Sequence, residues 1–464
     1  MLSSIFQLFC LTVTNAIRLK LHAPLLVLLL APLMADALPV FARQTGQPCM
    51  TCHAGGQFPE LTPFGRRFKL SGYTLGTRTF PFAIMAVGSM TKVSNTASAD
   101  PASDFPKDAV ALFQTGSVFL AGKITDKVGL FSQATHDNYD HQDPLSGQWH
   151  GKWTSDNIDL RYANHLDNLG HDLIFGFSLN NNPSVADPWN TAPAWIDYVP
   201  SQFGFTGPVA APIIKQLEQQ AAGISAYGLW NNLLYAELAG YQSANGPFSI
   251  LSQGINNTDQ TKLKGVNPYL RLALTHEWGA HNAMVGMFGM NVGVYPDNLN
   301  PGGPATQYRD RGIDAQYQYL QNPHSMTAQF SYLRESIHGG DVSGLASNAS
   351  NTLNQLKLKA SYIHAAKFGG SLGFFNTTGS SDSTLYPNGV KNNSAPTPIS
   401  GNLANSPNTR GWVPELFWIP TQYLRVGLQY FAYQRFNGAD HNYDGAGRNA
   451  SDNNTLFIYV WGAH

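Results

Sequence analysis

Leu424-Arg425-Val426-Gly427-Leu428-Gln429-Tyr430-Phe431 decides the fold. Leu424, Val426, Leu428 and Tyr430 take every second position, and Arg425, Gly427, Gln429 and Phe431 stand between them. Successive side chains of a β-strand leave opposite sides of the backbone, so this alternation marks a strand with one apolar and one more polar face. The pattern recurs outward along the chain. Leu270, Leu272 and Leu274 alternate with Arg271, Ala273 and Thr275, and Leu356 and Leu358 with Lys357 and Lys359. Leu173, Phe175, Phe177 and Leu179 alternate with Gly176, Ser178 and Asn180, with Ile174 as one breach. Leu456-Phe457-Ile458-Tyr459-Val460-Trp461 supplies a closing strand.

A soluble sandwich shows such alternation too, but three features favour a membrane. The segments approach the ~9–11 residues of a tilted transmembrane strand. Their polar faces are rich in Arg, Lys, Gln and Asp, as a wet lumen is. Aromatics such as Trp278, Tyr295, Trp412 and Trp418 recur near segment ends, as interfacial girdles do. Composition agrees. Of the 464 residues 12% are charged, against ~25% in soluble domains, and 12% are aromatic. Mean hydropathy is −0.19, which excludes a bundle of membrane helices. The net charge of −1 gives no footprint for nucleic acid. About 16 alternating segments follow residue 79, an even number, as bacterial barrels require.

The linkers differ in length. Short turns such as residues 167–170 are expected on the periplasmic side, and long polar loops such as 341–351 and 386–410 outside. The longest insertion, residues 183–222, is rich in Pro and Trp and turns helical around 213–220. It is expected to be a large surface loop, with folding into the lumen or capping of the outer mouth as alternatives.

The amino-terminal part reads differently. Arg18, Lys20 and His22 precede a leucine-rich run over 25–33, and Ala35-Asp36-Ala37 follows as a cleavage signal. Residues 1–37 are therefore expected to be a signal peptide, cut after Ala37. An uncleaved anchor is disfavoured, because Pro32 interrupts the run and it falls short of the ~20 residues of a helical span.

Residues 38–78 then hold Cys49-Met50-Thr51-Cys52-His53. A Cys-x-x-Cys-His run is an attachment site for haem c, with the thiols adding to the haem vinyl groups and the imidazole taking the iron. Cys49 and Cys52 are thus expected to bind one haem covalently, and His53 to be its axial ligand. The competing readings fail on context. A thioredoxin-like site needs a βαβ unit, which does not follow, and a zinc site needs two more ligands nearby. Besides Cys10 in the targeting region, these are the chain's only cysteines, so structural disulfides are not expected. Thr62-Pro63 predicts the start of a short helix carrying Phe64, Phe68 and Leu70 toward the haem. About forty residues cannot bury a full core, so this unit needs the haem or a larger host.

The distal position stays open among Met85 and Met90 on the first strand, the barrel histidines His136, His165 and His276, and five-coordinate iron. Arg66, Arg67 and Lys69 fit pairing with haem propionates or lumen carboxylates, or a solvated helix face. Glu237, Glu277 and Asp314 are expected to face the lumen. No nucleophile triad, phosphate loop or dinucleotide fingerprint is present in the sequence.

Phe41-Ala42-Arg43-Gln44-Thr45-Gly46, the Cys49–His53 run, Phe58-Pro59, Leu61-Thr62-Pro63-Phe64-Gly65-Arg66, Phe68-Lys69 and Gly72-Tyr73 resemble the fused outer-membrane cytochrome–porins of iron-oxidising bacteria. The resemblance is sharp over about 35 residues. It implies a small α-helical monohaem cytochrome c segment (38–78) ahead of a 16-stranded porin-like barrel (79–464). It implies residence in the bacterial outer membrane, extracellular Fe2+ or another small reduced donor, and a periplasmic cytochrome or other electron carrier as acceptor. As an activity this would be iron:cytochrome c reduction. The alternatives are a solute porin with a haem-bearing plug or sensor, and outward electron transfer to an external acceptor.

Overall fold

The structure is a computed structural model that describes residues 40–56, 60–95, 109–142, 149–168, 170–191, 210–252, 260–388 and 401–464. The expected signal peptide and Phe58-Pro59 lie outside the described residues. Three short helices come first: α1 Val40–Thr45, α2 Cys49–Cys52 and α3 Pro63–Leu70. The strands follow: β1 Phe82–Val93, β2 Ala111–Lys123, β3 Val128–Gln142, β4 Trp149–Asn168 and β5 His171–Asn180. After the inserted helices α4 Pro183–Ala186 and α5 Ile213–Gln216 come β6 Ala221–Trp230, β7 Leu234–Ser243, β8 Asn267–Trp278 and β9 His281–Val294. β10 Thr306–Gln321, β11 His324–His338, β12 Ser350–His364, β13 Phe368–Gly379, β14 Thr409–Thr421, β15 Leu424–Arg435 and β16 Thr455–Ala463 complete the chain.

Every strand pairs antiparallel with its sequence neighbours, and β1 closes onto β16, with Val87 opposite Trp461. The result is a closed barrel of 16 strands, as the alternation predicted. Closure satisfies every ladder without leaving an edge, which is what a strand structure in hydrocarbon requires. The faces divide as the sequence indicates. Leu270 and Leu274 are exposed on the exterior while Arg271 between them is buried in the lumen. Leu238, Val285, Met287, Ile313, Leu358 and Leu416 continue the exposed apolar exterior. A closed barrel with this exterior spans a lipid membrane.

Short and long connections alternate strictly: even-to-odd ones such as β4–β5 or β8–β9 are short, odd-to-even ones are longer, and both barrel termini lie at the short-turn end. Trp278 and Trp418 are exposed at that end and Trp412 at the other, forming two girdles. The chain enters from the short-turn side, and the described residues of 40–78 pack within the barrel as part of one compact unit.

The insertion between β5 and β6 corrects the sequence expectation. It is not a surface loop over its described part. Pro183 through Ala186, Asp187, Trp189 and Thr191 are buried in the lumen, as are Ile213, Ile214 and Leu217. The polarity of the loop misleads because a barrel lumen is itself polar and welcomes Asn, Ser and Asp. Asn182 caps α4 through Ser184 N at 2.9 Å. The amides of Ile213 and Ile214 at the start of α5 donate to Glu335 (2.6 Å) and Asp310 (3.1 Å), register partners on β11 and β10.

Candidate functional site

α2 is a single turn, with His53 N donating to Cys49 O at 2.8 Å. Residues three apart on a turn share a face, so Cys49 and Cys52 lie side by side; both are half-buried and free of a disulfide. The chain folds back on this turn. His53 bridges Leu61, Ala54 N donates to Glu60 O (2.8 Å), and Thr62 N donates to Cys52 O (2.9 Å). Thr62 then caps α3 through Gly65 N at 3.1 Å, with Pro63 in the first turn, as the sequence predicts. Gly65 is required here: a Cβ would stand 2.1 Å from Cys52 O. The glycine lets α3 lie directly against the cysteine turn.

Burial holds the His53 imidazole down at about 4, against a weaker opposing pull from Glu60. Burial, with Cys49 beside it, pushes the Cys52 thiol up to about 11, and burial also raises Cys49. The site therefore presents two protonated thiols and a neutral imidazole. Two adjacent free thiols and a neutral imidazole next in sequence fit a haem c as a donor set. Among the described residues no group of three or more His, Cys, Asp or Glu side chains converges to hold a separate metal ion.

The turn is seated in the short-turn mouth. Cys49 N donates to Gln422 in the β14–β15 turn (3.4 Å), Glu60 pairs with Lys359 of β12 (3.0 Å), and Gly55 presses on Ile363. A second anchor lies across the lumen. Gln44 donates to the carbonyls of Tyr73 (2.7 Å) and Leu75 (2.8 Å), and Phe41 packs on Phe68, Tyr73 and Phe131. Tyr73 donates to Asp159 at 2.6 Å.

Between these anchors α3 reaches into the lumen. Arg66 is 4% exposed and donates to Leu61 O (2.7 Å), Gln316 (3.2 Å), Gln318 (3.1 Å) and Asn282 (2.5 Å). Lys69 donates to Asp187 O at 3.0 Å, and burial with nearby Arg161 pushes its ammonium down to about 8. Arg67 stays at the rim, 3.5 Å from Asp172, which also holds His165 at 2.5 Å. Of the readings open for these cations, lumen contact holds for Arg66 and Lys69, but their partners are mostly amides and carbonyls.

The inserted loop meets α3 from the other side. Trp189 lies between the guanidiniums of Arg66 (5.9 Å) and Arg271 (5.5 Å), stacks edge-on against Tyr235 (5.3 Å), and packs with Leu70 and Ile174. Ile174, the breach in the β5 alternation, is the wall position that receives Leu70. Arg271 is fully buried between Asp187 (3.2 Å) and Asp314 (2.5 Å). Arg161 pairs with Asp159 at 2.7 Å. The lumen is thus crossed at mid-depth, between β4 and β10, by a buried network belonging to two inward-folded pieces.

Glu237, Glu277 and Asp314 do face the lumen, with Glu237 bonded to Tyr235 (2.9 Å). The helix does not send all its apolar residues one way: Phe68 joins the Phe41–Tyr73 cluster, Leu70 joins the wall, and Phe64 is 39% exposed. Met85 faces inward among Val87, Tyr459 and Trp461. Met90 alternates to the lipid side, and His136 and His276 also point outward, so a haem within the lumen is out of their reach. The β5–β6 loop residues Asp187 and Trp189 were missed; an Asp-x-Trp in a polar loop carries no signal of burial.

No protein-family model matches the chain, and no curated protein matches it. Among solved structures it is similar to the outer membrane channel DcaP of Acinetobacter baumannii, at 13% identity, over 82% of this chain and 96% of that one, with a TM-score of 0.44. It is similar to OmpF of Salmonella typhi in complex with daunomycin (10% identity, 82% and 97%, TM-score 0.44). It is also similar to an anion-selective porin from Comamonas acidovorans (11%, 82% and 98%, TM-score 0.40). At these scores the likenesses carry no weight of their own, and the barrel rests on its closed ladder.

Proposed function

We propose that this protein is an outer-membrane electron conduit with one haem c attached at Cys49 and Cys52 and ligated by His53. The observation that carries the reading is the seat of the Cys49–His53 turn: it sits in the short-turn mouth of a membrane barrel whose lumen is crossed by buried side chains. Short turns face the periplasm in such barrels, which gives a periplasmic carrier access to that mouth. A haem there supplies a one-electron centre, its potential set by axial ligand and burial.

The chain's own residues do the rest. Burial keeps the His53 imidazole in its neutral form, the form that would ligate iron. Gly65 and Thr62 hold α3 on the cysteine turn, while Arg66, Lys69 and Tyr73 fix the segment to the wall. The buried Asp187–Arg271–Asp314 network narrows the lumen at mid-depth on that side. In this reading extracellular Fe2+ is the donor and a periplasmic cytochrome the acceptor. The resemblance over residues 41–73 and the crossed lumen support it over a free solute porin.

The test is anaerobic addition of Fe2+ to the outside of proteoliposomes holding the haem-loaded chain. Appearance of the reduced α-band is expected. An unreduced haem together with solute flux would make the segment a plug or sensor instead. H53A should lose the native haem spectrum while keeping covalent haem on denaturing gels; an unchanged spectrum would refute the axial assignment.

A further inference from the structure

The barrel exterior holds one feature that the conduit does not use. Arg309 and Arg311 on β10 and Arg334 on β11 are exposed on the outward face, on the long-loop side of the apolar band. Arg311 and Arg334 are register partners, directly opposite one another on adjacent strands, and Arg309 is two positions along on the same face. Like charges directly opposite in a ladder repel. No hydrogen bond, ion pair or ring contact is formed by any of the three within the described residues.

The neighbouring strand positions offer no relief. The acidic residues of these strands, Asp310, Asp314 and Glu335, alternate into the lumen and are buried. The outward neighbours are Gln307, Asn291, Ser336 and Asn354, with no carboxylate among these strand positions. One outward step from Arg311 toward the membrane centre stands Ile313, 50% exposed, flanked by Val285 and Met287 at 59% and 52%. The three guanidiniums therefore lie at the upper border of the hydrocarbon layer, where an unpaired charge is costly and a bound anion relieves both that cost and the mutual repulsion.

The opposite rim is built otherwise. There His171 stacks on Trp230, Trp278 on His276 and His281, and His324 bonds Tyr362 at 2.7 Å. Histidine–aromatic contacts occur on the long-loop side too, where His136 packs on Trp153, but the cluster of unpaired arginines stands on the long-loop side. A cationic cluster on one side matches a membrane whose two leaflets differ in headgroup charge.

We propose that this face of β10 and β11 binds the phosphate headgroup of an outer-leaflet lipid, with Arg309, Arg311 and Arg334 donating to phosphate oxygens and Ile313, Val285 and Met287 receiving its acyl chains. Guanidinium forks match phosphate oxygens in pairs, which suits arginine better than lysine here. The site rests on the barrel lying in a membrane with its long loops outward, and not on the haem.

The experiment is titration of the full-length, haem-loaded protein in zwitterionic micelles with phosphorylated lipid A and with its dephosphorylated form. Tight binding of the phosphorylated form alone is expected. Each arginine near a membrane surface is worth roughly fivefold in affinity, so R309Q/R311Q/R334Q should weaken binding roughly a hundredfold. Heat-modifiable migration on gels checks that the variant barrel has closed; should it not close, R334Q alone, with an expected loss of roughly fivefold, decides. Inorganic phosphate at the same concentration should not displace the lipid. Equal binding of the dephosphorylated lipid, displacement by inorganic phosphate, an undiminished affinity in the closed variant, or a variant changed only in oligomeric state would each overturn the proposal.

Discussion

Replacing Arg66 with alanine tests whether the amino-terminal segment is latched in the lumen. The side chain is buried and bonded to four acceptors. Without it the Leu61 carbonyl keeps Gln318 Nε2 at 3.1 Å, but the side-chain oxygens of Asn282, Gln316 and Gln318 lose their donor. A buried acceptor left without its donor costs about 2 kcal/mol, hence about 6 for three. Against this, burial holds the guanidinium down from 12.5 to about 10, and losing that strain offsets about 3 kcal/mol. The net is about 3 kcal/mol against the seated segment, or about a hundredfold in the seated-to-unseated ratio. In planar bilayers R66A should open to ions far more often than the parent protein, and trypsin should cut residues 40–78 sooner. R66K, which keeps the charge but loses the fork, should fall between. If R66A matches the parent in conductance and in trypsin resistance, Arg66 does not hold the segment and the reasoning fails.

Three further outcomes are expected. G65V drives a Cβ into Cys52 O and should cost at least about 1–3 kcal/mol of thermal stability, with poor haem staining on denaturing gels; normal stability would show that α3 need not touch the cysteine turn. Lys69 is held at about 8, below its ordinary 10.5. The unseated segment therefore binds more protons between these values, so seating should strengthen as pH rises from about 8 to 10.5, read as falling conductance; K69M should abolish that dependence. Asp382, in the long β13–β14 loop, accepts from the amides of Ser347, Asn348, Thr384 and Leu385, and with the Asn351 side chain these donors hold its carboxyl down at about 2. A depressed carboxyl contributes stability above its ordinary range that is lost as pH falls through about 2. Protease resistance of residues 339–388 should thus fall between about pH 4 and 2, and D382N should lack it already at pH 7.

The barrel was legible because its physics is local. Lipid outside and water or polar chain inside force a period of two, and that period stands in the sequence at Leu270–Thr275 and Leu424–Phe431 without reference to any partner strand. The Cys49–His53 run and the Thr62-Pro63 helix start are local in the same sense, since one turn of chain holds all the atoms concerned. Even the breach at Ile174 was visible, although its cause was not: only the folded chain shows Leu70 behind it.

What the sequence alone determined was therefore the closed barrel, the faces of its strands, and a thiol–imidazole turn ahead of it. Only the tertiary structure decided that Arg66 and Lys69 leave water for the lumen, that Met90 faces lipid, and that residues 183–191 fold inward to lay Trp189 between Arg66 and Arg271. The reason is that a lumen-filling loop and a surface loop are both polar. Which solvent such a loop meets depends on whether Asp187 finds Arg271, 84 positions along the chain, and a pairing across that separation leaves no periodic trace. Closure of the barrel is what brings the two together.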